Sequence, residues 1–342
     1  MILISKSTRV LINFINMRAS FKSFDNISNE KEFSSCALAL FEYQFEHNKV
    51  YRSYCDLINV NPSDVKKISE IPFLPIQFFK SHLVTSNNSS PKKYFESSGT
   101  TSQICSKHYV FDLSLYHKSF EKGFELFYGN IKDYVIIALL PSYKIEHSSL
   151  VYMANELIKK TNHPLSGFYL DEWDQLKNTL EELESKNQKT ILLGVSFALL
   201  EAIEKYEWNL NNTLIMETGG MKGMRKEWIK SALHSHLKEG FGVKSIHAEY
   251  GMTELLSQAY SSADGIFYCP PWMQVSIRDP EDPFETQSFG KTGGLNIIDL
   301  ANVDSCAFIA TQDLGILHSD CGFEILGRFD HAELRGCNLM VF

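Results

Sequence analysis

The sequence predicts an α/β protein whose central sheet is mainly parallel, followed by a β-rich part. Two patterns carry this expectation. Between Tyr134 and Glu249, continuous apolar runs alternate with stretches of helical periodicity, as buried parallel strands joined by helices do. After Tyr260, short strand-like runs are separated by Gly, Pro and Asp turns, the pattern of antiparallel strands. At 342 residues, 44% hydrophobic and 22% charged, the chain can bury an ample core.

Taken in order, residues 29–60 read as helical, with Leu38, Phe41 and Phe45 on one face and Glu42 and Glu46 on another. The prolines of Ile71-Pro72-Phe73-Leu74-Pro75 then force an extended or turned chain. Residues 1–93 are expected to form a helical N-terminal segment packed on the core. Strands are expected over Tyr134–Leu140, Thr190–Val195, Thr213–Glu217 and Ser245–Glu249. Between them, helices are expected over Ser149–Lys160, from an Asp171 N-cap through Leu176, Leu180 and Leu183, over Phe197–Tyr206, and over Met224–Lys238. The short runs 266–268, 274–277, 295–298, 307–310 and 323–326 build the β-rich part. The expected division is therefore 1–93, an α/β core over 94–260, a β-rich subdomain over 261–326 and a tail over 327–342.

The net charge of −8 argues against a nucleic-acid partner. No apolar run approaches the roughly 20 residues of a membrane span. Seven cysteines are scattered without a C-x-x-C pair, which gives no zinc spacing. The first twenty residues carry Lys6, Arg9 and Arg18 but no cleavable leader pattern. Together these features fit a reducing, cytoplasmic setting, with most cysteines serving as small buried hydrophobes.

Three stretches carry candidate chemistry. The run Ser97-Ser98-Gly99-Thr100-Thr101-Ser102, with Lys107 close behind, can aim backbone N–H groups, hydroxyls and an ammonium at a phosphate. A solvated loop has the same composition. Tyr250-Gly251-Met252-Thr253-Glu254 falls just past a strand end, where ligands of parallel α/β sheets bind. Glu254 can hold Mg²⁺ together with phosphate oxygens, and Tyr250 offers a ring for adenine. A plain strand-to-helix turn capped by Thr253 accounts for the same string. Gly219-Gly220 lets backbone approach a flat ligand, or makes a tight turn. Asp313 can accept from ribose hydroxyls, although Asp-Leu-Gly is also an ordinary turn. Arg328 presents a fork of donors to ribose or phosphate. His147 is a candidate for an acyl pocket, and equally for a helix cap or core position.

The order and spacing of these stretches resemble the adenylate-forming enzymes, which activate carboxylic acids with ATP. Within that superfamily the chain looks most like the acyl-protein synthetases, the LuxE-like group associated with long-chain fatty acid reduction. The likeness rests on Pro72-Phe73-Leu74-Pro75, Ser97 to Thr101, Leu140-Pro141-Ser142-Tyr143, Glu217 to Gly223, Tyr250 to Glu254 and Gly327 to Cys337. It implies an adenylate-forming large-domain core that binds nucleotide and acyl group, with ATP and Mg²⁺ as cofactors. The matched signature positions are Ser97, Ser98, Gly99, Thr100 and Thr101 in the loop, Tyr250, Gly251, Thr253 and Glu254 in the aromatic motif, Asp313 for ribose, and Arg328 before a hinge residue at Asp330.

Two departures stand out. Ser102 replaces the glycine that usually ends the loop, and Lys107 stands further on than the usual loop lysine. Only six residues follow Gly336, so the superfamily's mobile C-terminal domain and its catalytic lysine are expected to be missing, with Lys107 or a partner substituting. The resemblance further implies acyl transfer onto a cysteine near the C-terminus. Cys337, beside Arg335, is the candidate, and Cys321 its competitor. The implied reaction joins a fatty or other carboxylic acid to a thiol: the chain's own cysteine, an acyl-carrier protein or coenzyme A. The alternatives are a carboxylate–CoA ligase and a non-catalytic nucleotide-binding subunit that positions a reductase or carrier partner.

Overall fold

The computed structural model describes residues 21, 23–97, 104–219 and 228–329. Its first strands are β1 (Leu74–Pro75), β2 (Lys93–Glu96) and β3 (Lys107–Val110). The α/β part follows with β4 (Val135–Leu139), β5 (Gly167–Phe168), β6 (Thr190–Val195), β7 (Thr213–Thr218), β8 (Ile246–Tyr250) and β9 (Ala259–Ser261). The last strands are β10 (Ile266–Phe267), β11 (Met273–Arg278), β12 (Thr292–Asp299), β13 (Phe308–Leu317) and β14 (Phe323–Arg328).

The expected parallel sheet is present, in the order β5-β4-β6-β7-β8-β9, with every pairing parallel except β8 with β9. Every residue of β4 and of β6 is buried, which is why these segments read as unbroken apolar runs rather than alternating ones. Helices Leu113–Tyr128, Ser149–Thr161, Trp173–Ser185, Ser196–Lys205 and Lys230–Phe241 accompany the sheet. The second sheet is antiparallel, in the order β10-β14-β13-β12-β11. Strand β11 alternates buried and half-buried residues, as a strand with one covered face should. β1 joins this sheet by pairing parallel with β13, Leu74 opposite Ile309.

Four local expectations are corrected. Residues 29–60 form two helices, Glu30–His47 and Lys49–Leu57. Asn48 separates them because its side chain accepts from the Tyr51 N–H at 3.1 Å and donates to the Ser305 carbonyl at 3.0 Å, a cap and a long-range tie that continuous helix would forfeit. Asp171 is not an N-cap. It adopts φ 72°, a left-handed conformation that Asp tolerates, and the helix starts after Glu172. The helix expected from Met224 begins at Lys230, because Ile229 is extended, and it continues to Phe241; Met224 itself lies outside the described residues. Asp313 sits within strand β13 rather than in a turn. Gly315 makes this possible, since a Cβ there would lie 2.2 Å from the Glu324 carbonyl oxygen of the neighbouring strand, at a register shift in the β13–β14 pairing.

Candidate active site

The neck of the hydroxyl-rich loop is formed by the antiparallel pair β2–β3. Just above it, the Ser97 N–H donates to the Ser106 carbonyl at 3.1 Å, and the Ser106 N–H donates to Ser97 Oγ at 3.0 Å. Ser98, Gly99, Thr100 and Thr101 lie outside the described residues. Beyond the neck the period-two alternation of a strand sorts the side chains. Ser106 and His108 are buried, whereas the Lys107 side chain is 46% exposed and pairs with Glu96 at 3.3 Å. The Glu96 carboxylate raises the lysine's pKa. Lys107 therefore points away from the face that holds Ser106, and the structure does not bring it to the cluster described next.

That cluster centres on Glu254, a buried carboxylate to which Ser106 Oγ donates a short hydrogen bond. Burial raises the Glu254 pKa, with the Ser106 bond working against it. His108 Nδ1 lies 2.8 Å from the Thr253 carbonyl and its Nε2 3.2 Å from Asn302 Oδ1. Asn302 Nδ2 donates to the Glu254 carbonyl at 2.8 Å and to the Cys306 carbonyl at 2.9 Å. Burial lowers the His108 pKa to about 4, so the ring is neutral near pH 7. Asp299 accepts from the Leu256 and Ser257 N–H groups at 2.8 and 3.0 Å and from Ser257 Oγ at 2.6 Å. No helix follows the motif, so the reading of Thr253 as a helix cap is overturned: the chain turns directly into β9. At Gly251 the backbone passes close to the Glu249 side chain: a Cβ there would stand 2.6 Å from Glu249 Oε1, which would have to shift.

A second group lies where the two sheets meet. The Tyr250 hydroxyl donates to Asp313 Oδ2 at 2.8 Å, and Arg328 Nε donates to Asp313 Oδ1 at 3.1 Å. Tyr250's ring stands 5.9 Å from that of Phe267 and 5.7 Å from that of Phe323. Burial, followed by the nearby Asp313 charge, pushes the Tyr250 hydroxyl well above its ordinary pKa. The tyrosine is thus a fixed donor to Asp313 as well as a ring.

Gly219, at φ 65°, leaves the carboxyl end of β7, while Gly220 lies outside the described residues. Ser196 Oγ is 2.7 Å from the Gly219 carbonyl and donates to Glu217 Oε1 at 2.5 Å. Burial alone would raise the Glu217 pKa, but His234, Lys230 and Ser196 outweigh it and hold the carboxyl below the usual range. His147 is an exposed ring 5.6 Å from Tyr94, and the helix cap beside it is Ser148. Cys321 is exposed at φ 66°, and Cys337 lies outside the described residues. The remaining described cysteines are buried or half-buried.

The structure therefore brings together Glu254, Gly251 and Thr253 on one side and Tyr250, Asp313 and Arg328 on the other, at the carboxyl end of β8. Sequence reasoning passed over Ser106, His108, Asn302 and Asp299. A signal for the first two was present: in a strand read through Ser106-Lys107-His108, alternation alone puts Lys107 opposite its neighbours. Asn302 and Asp299 carried none, because they reach the site from the end of β12 and the turn after it, distant in sequence.

The profile of the family "Acyl-protein synthetase, LuxE" matches residues 12–342. The chain is 23% identical over 322 residues to a long-chain-fatty-acid–luciferin-component ligase of Vibrio harveyi, covering 87% of this chain and 84% of the relative. It is 24% identical over 327 residues to the protein of that name from Aliivibrio fischeri, covering 87% and 85%. Among solved structures, a 2-hydroxyisobutyryl-CoA ligase in an open conformation, in complex with 2-HIB-AMP and CoA, superposes with a TM-score of 0.65 at 14% identity, over 88% of this chain and 70% of that one. The ATP-bound MatB of Rhodopseudomonas palustris superposes with a TM-score of 0.53 at 18% identity, over 69% of this chain and 47% of that one. This chain thus spans about half the length of MatB. With the fold of the adenylate-forming ligases and a family match over nearly its whole length, the chain belongs to the LuxE acyl-protein synthetase family.

Proposed function

We propose that the protein activates a fatty acid with ATP and passes the acyl group to a thiol. In the first step a carboxylate oxygen of the acid bonds to the α-phosphorus while the bond to the β-phosphate breaks, giving acyl-adenylate and pyrophosphate. In the second, a thiolate attacks the acyl carbon and AMP leaves with the electron pair of the broken C–O bond. The observation that carries this reading is the convergence of Tyr250, Asp313 and Arg328 beside the Glu254 motif, at the carboxyl end of a parallel strand.

The roles we assign are these. Asp313, already accepting from Tyr250 and Arg328, is placed to take ribose hydroxyls. Arg328, whose side chain is 73% exposed, can turn its remaining donors to the α-phosphate, where negative charge needs masking. Ser97 to Thr101 hold the triphosphate. The Gly219-Gly220 backbone and the Tyr250 ring flank the adenine. Among the described residues there is no cluster of three or more metal-ligating side chains. A Mg²⁺ ion would be held by Glu254 together with nucleotide phosphate oxygens, since Mg²⁺ binds through one or two carboxylates plus phosphates. Bound there, it would neutralise phosphate charge.

The relatives named as long-chain-fatty-acid–luciferin-component ligases support a long-chain acid as substrate. A ligase crystallised with both 2-HIB-AMP and CoA supports the adenylate and leaves coenzyme A as a second acceptor. Cys337 is our first candidate for a thiol on the chain itself and Cys321 the second. Among the described residues no helix is long and apolar enough to cross a membrane. The deciding experiment is ATP–pyrophosphate exchange measured against acids of increasing length. Exchange that depends on the added acid is expected, and its absence across short and long acids, with and without carrier proteins, would defeat the enzymatic reading.

A further inference from the structure

We propose that Cys269 and Cys321 form a redox pair, oxidised by hydrogen peroxide to a disulfide that ties the end of β10 to the turn between β13 and β14. The proposal goes beyond the ligase reading and does not depend on it.

The register of the two strands brings the cysteines together. β10 runs antiparallel to β14, with Ile266 opposite Glu324 and Phe267 opposite Phe323. Two steps further, the same count sets Cys269 opposite Cys321. The two segments stay in contact over those steps. A Cβ on Gly322 would stand 2.8 Å from Ile266 Cγ2 and 3.1 Å from Tyr268 Cζ, and the Tyr268 hydroxyl donates to Asp320 Oδ2 at 2.8 Å. Cys269 follows Tyr268 directly, and Cys321 lies between Asp320 and Gly322, the two residues that Tyr268 meets. Opposed residues of an antiparallel pair have Cα atoms about 4.5–5.5 Å apart, within the span that a disulfide bridges. The turn is held by the Cys321 N–H on the His318 carbonyl at 3.0 Å and the Gly322 N–H on Asp320 Oδ1 at 3.1 Å.

The two thiols differ in access, which orders the chemistry. Cys321 is exposed and Cys269 half-buried. Burial first, then the Asp299 charge and then Cys321 itself push the Cys269 thiol well above its ordinary pKa, so Cys269 reacts second. The Cys321 thiolate attacks one oxygen of the peroxide and the O–O bond breaks. The hydroxide released takes the proton that the thiol gave up, leaving a sulfenic acid and water. The Cys269 sulfur then attacks the Cys321 sulfur, the S–O bond breaks, and the departing hydroxide takes the Cys269 proton as a second water. Two electrons pass from the thiols to the peroxide.

The bond falls beside the candidate site. Phe267 and Phe323, each two residues from its cysteine, stack 5.5 Å apart, and both rings meet that of Tyr250. Oxidation would clamp the seat of Tyr250 and take the Cys321 thiol out of reach of an acyl donor until a reductant releases it. In a reducing setting a bond of this kind is transient and serves redox sensing.

The test exposes the full chain to hydrogen peroxide, alkylates the remaining thiols with N-ethylmaleimide in guanidinium, and maps an unreduced digest by mass spectrometry. A linked Cys269–Cys321 peptide is expected, and it should vanish with dithiothreitol. In Cys269→Ser nothing resolves the sulfenic acid, so Cys321 should react with dimedone; in Cys321→Ser, Cys269 should not. Oxidised wild type should melt about 5 °C above the reduced protein, the scale for one disulfide closing a long loop in a large chain, and neither variant should show that rise. Cys269 fully alkylated after peroxide, Cys321 joined instead to Cys337 or another cysteine, or a dimedone-reactive Cys321 that persists in wild type would each overturn the pair and leave the ligase reading untouched.

Discussion

Asp313 and Arg328 face each other across strands β13 and β14 as register partners, joined by a bond of 3.1 Å from Arg328 Nε to Asp313 Oδ1. Fifteen positions apart in sequence, they meet because the β13–β14 turn folds one strand back on the other. The arginine is largely exposed, while Asp313 is buried and keeps the Tyr250 hydroxyl as a donor if the arginine is removed. Arg328→Ala should accordingly shift the melting temperature little while lowering pyrophosphate exchange about 10²–10³-fold, the usual loss for one preorganised donor at developing charge. An exchange rate within threefold of wild type would remove Arg328 from the reaction.

Glu254→Gln keeps an acceptor for the Ser106 hydroxyl, so the fold should survive. Exchange should fall by about 10²–10³. Lys107→Ala offers the contrast. Because Lys107 is engaged by Glu96 on the far face of β3, its loss should cost less than about tenfold, since surface pairs of this kind contribute little. A loss as large as that of Glu254→Gln would show that Lys107 leaves Glu96 during turnover.

Labelled fatty acid and ATP should yield a hydroxylamine-sensitive acyl-protein, because transfer to a thiolate splits one difficult step into two easier ones. Cys337→Ser should lose the label but keep exchange. Label retained in Cys337→Ser and lost in Cys321→Ser would move the acceptor to the exposed turn at Cys321. A wild-type chain that never labels but acylates a carrier protein or coenzyme A would replace the covalent step with direct transfer.

His108 predicts a pH dependence with a definite sign. Its folded pKa is about 4 against an ordinary value of 6.5, so the unfolded chain takes up a proton first as pH falls. The resulting stability is complete above pH 6.5 and is lost between pH 6.5 and about 4. Each pKa unit corresponds to about 1.4 kcal/mol, so the loss is on the order of 3 kcal/mol. Measured as the difference between wild type and His108→Gln in denaturant titrations, which cancels the carboxylates common to both, the slope should appear in that window alone. Parallel curves would assign the acid sensitivity elsewhere.

The parallel sheet was legible because β4 and β6 are buried on both faces and so read as unbroken apolar runs. Tyr250 to Glu254 were legible because they close a strand and leave its carboxyl end. What could not be read is what depends on partners far away in the chain. Asn48 interrupts a helical pattern for the sake of a carbonyl at Ser305, and Asn302 reaches Glu254 from a turn between two other strands. Asp313 looked like a turn residue because Leu-Gly follows it, yet that glycine serves a close strand approach. Local sequence records which conformations are permitted. It does not record which distant hydrogen bond selects among them.

The pairing of β1 with β13 has a consequence for how the protein is made. Leu74 leaves the ribosome long before its partner Ile309, as Gln44 and Asn48 do before the carbonyls of Asn302, Val303 and Ser305. At roughly 5–20 residues per second, the early helices wait on the order of ten seconds or more for the surface that covers them. Phe41 and Tyr51, whose rings pack against Phe308 in the finished protein, lack that partner through the interval. Synthesis of this chain therefore exposes a sticky N-terminal intermediate by construction, and a holdase that binds nascent chains should raise its soluble yield more than slower denaturant removal helps its refolding from the full-length state.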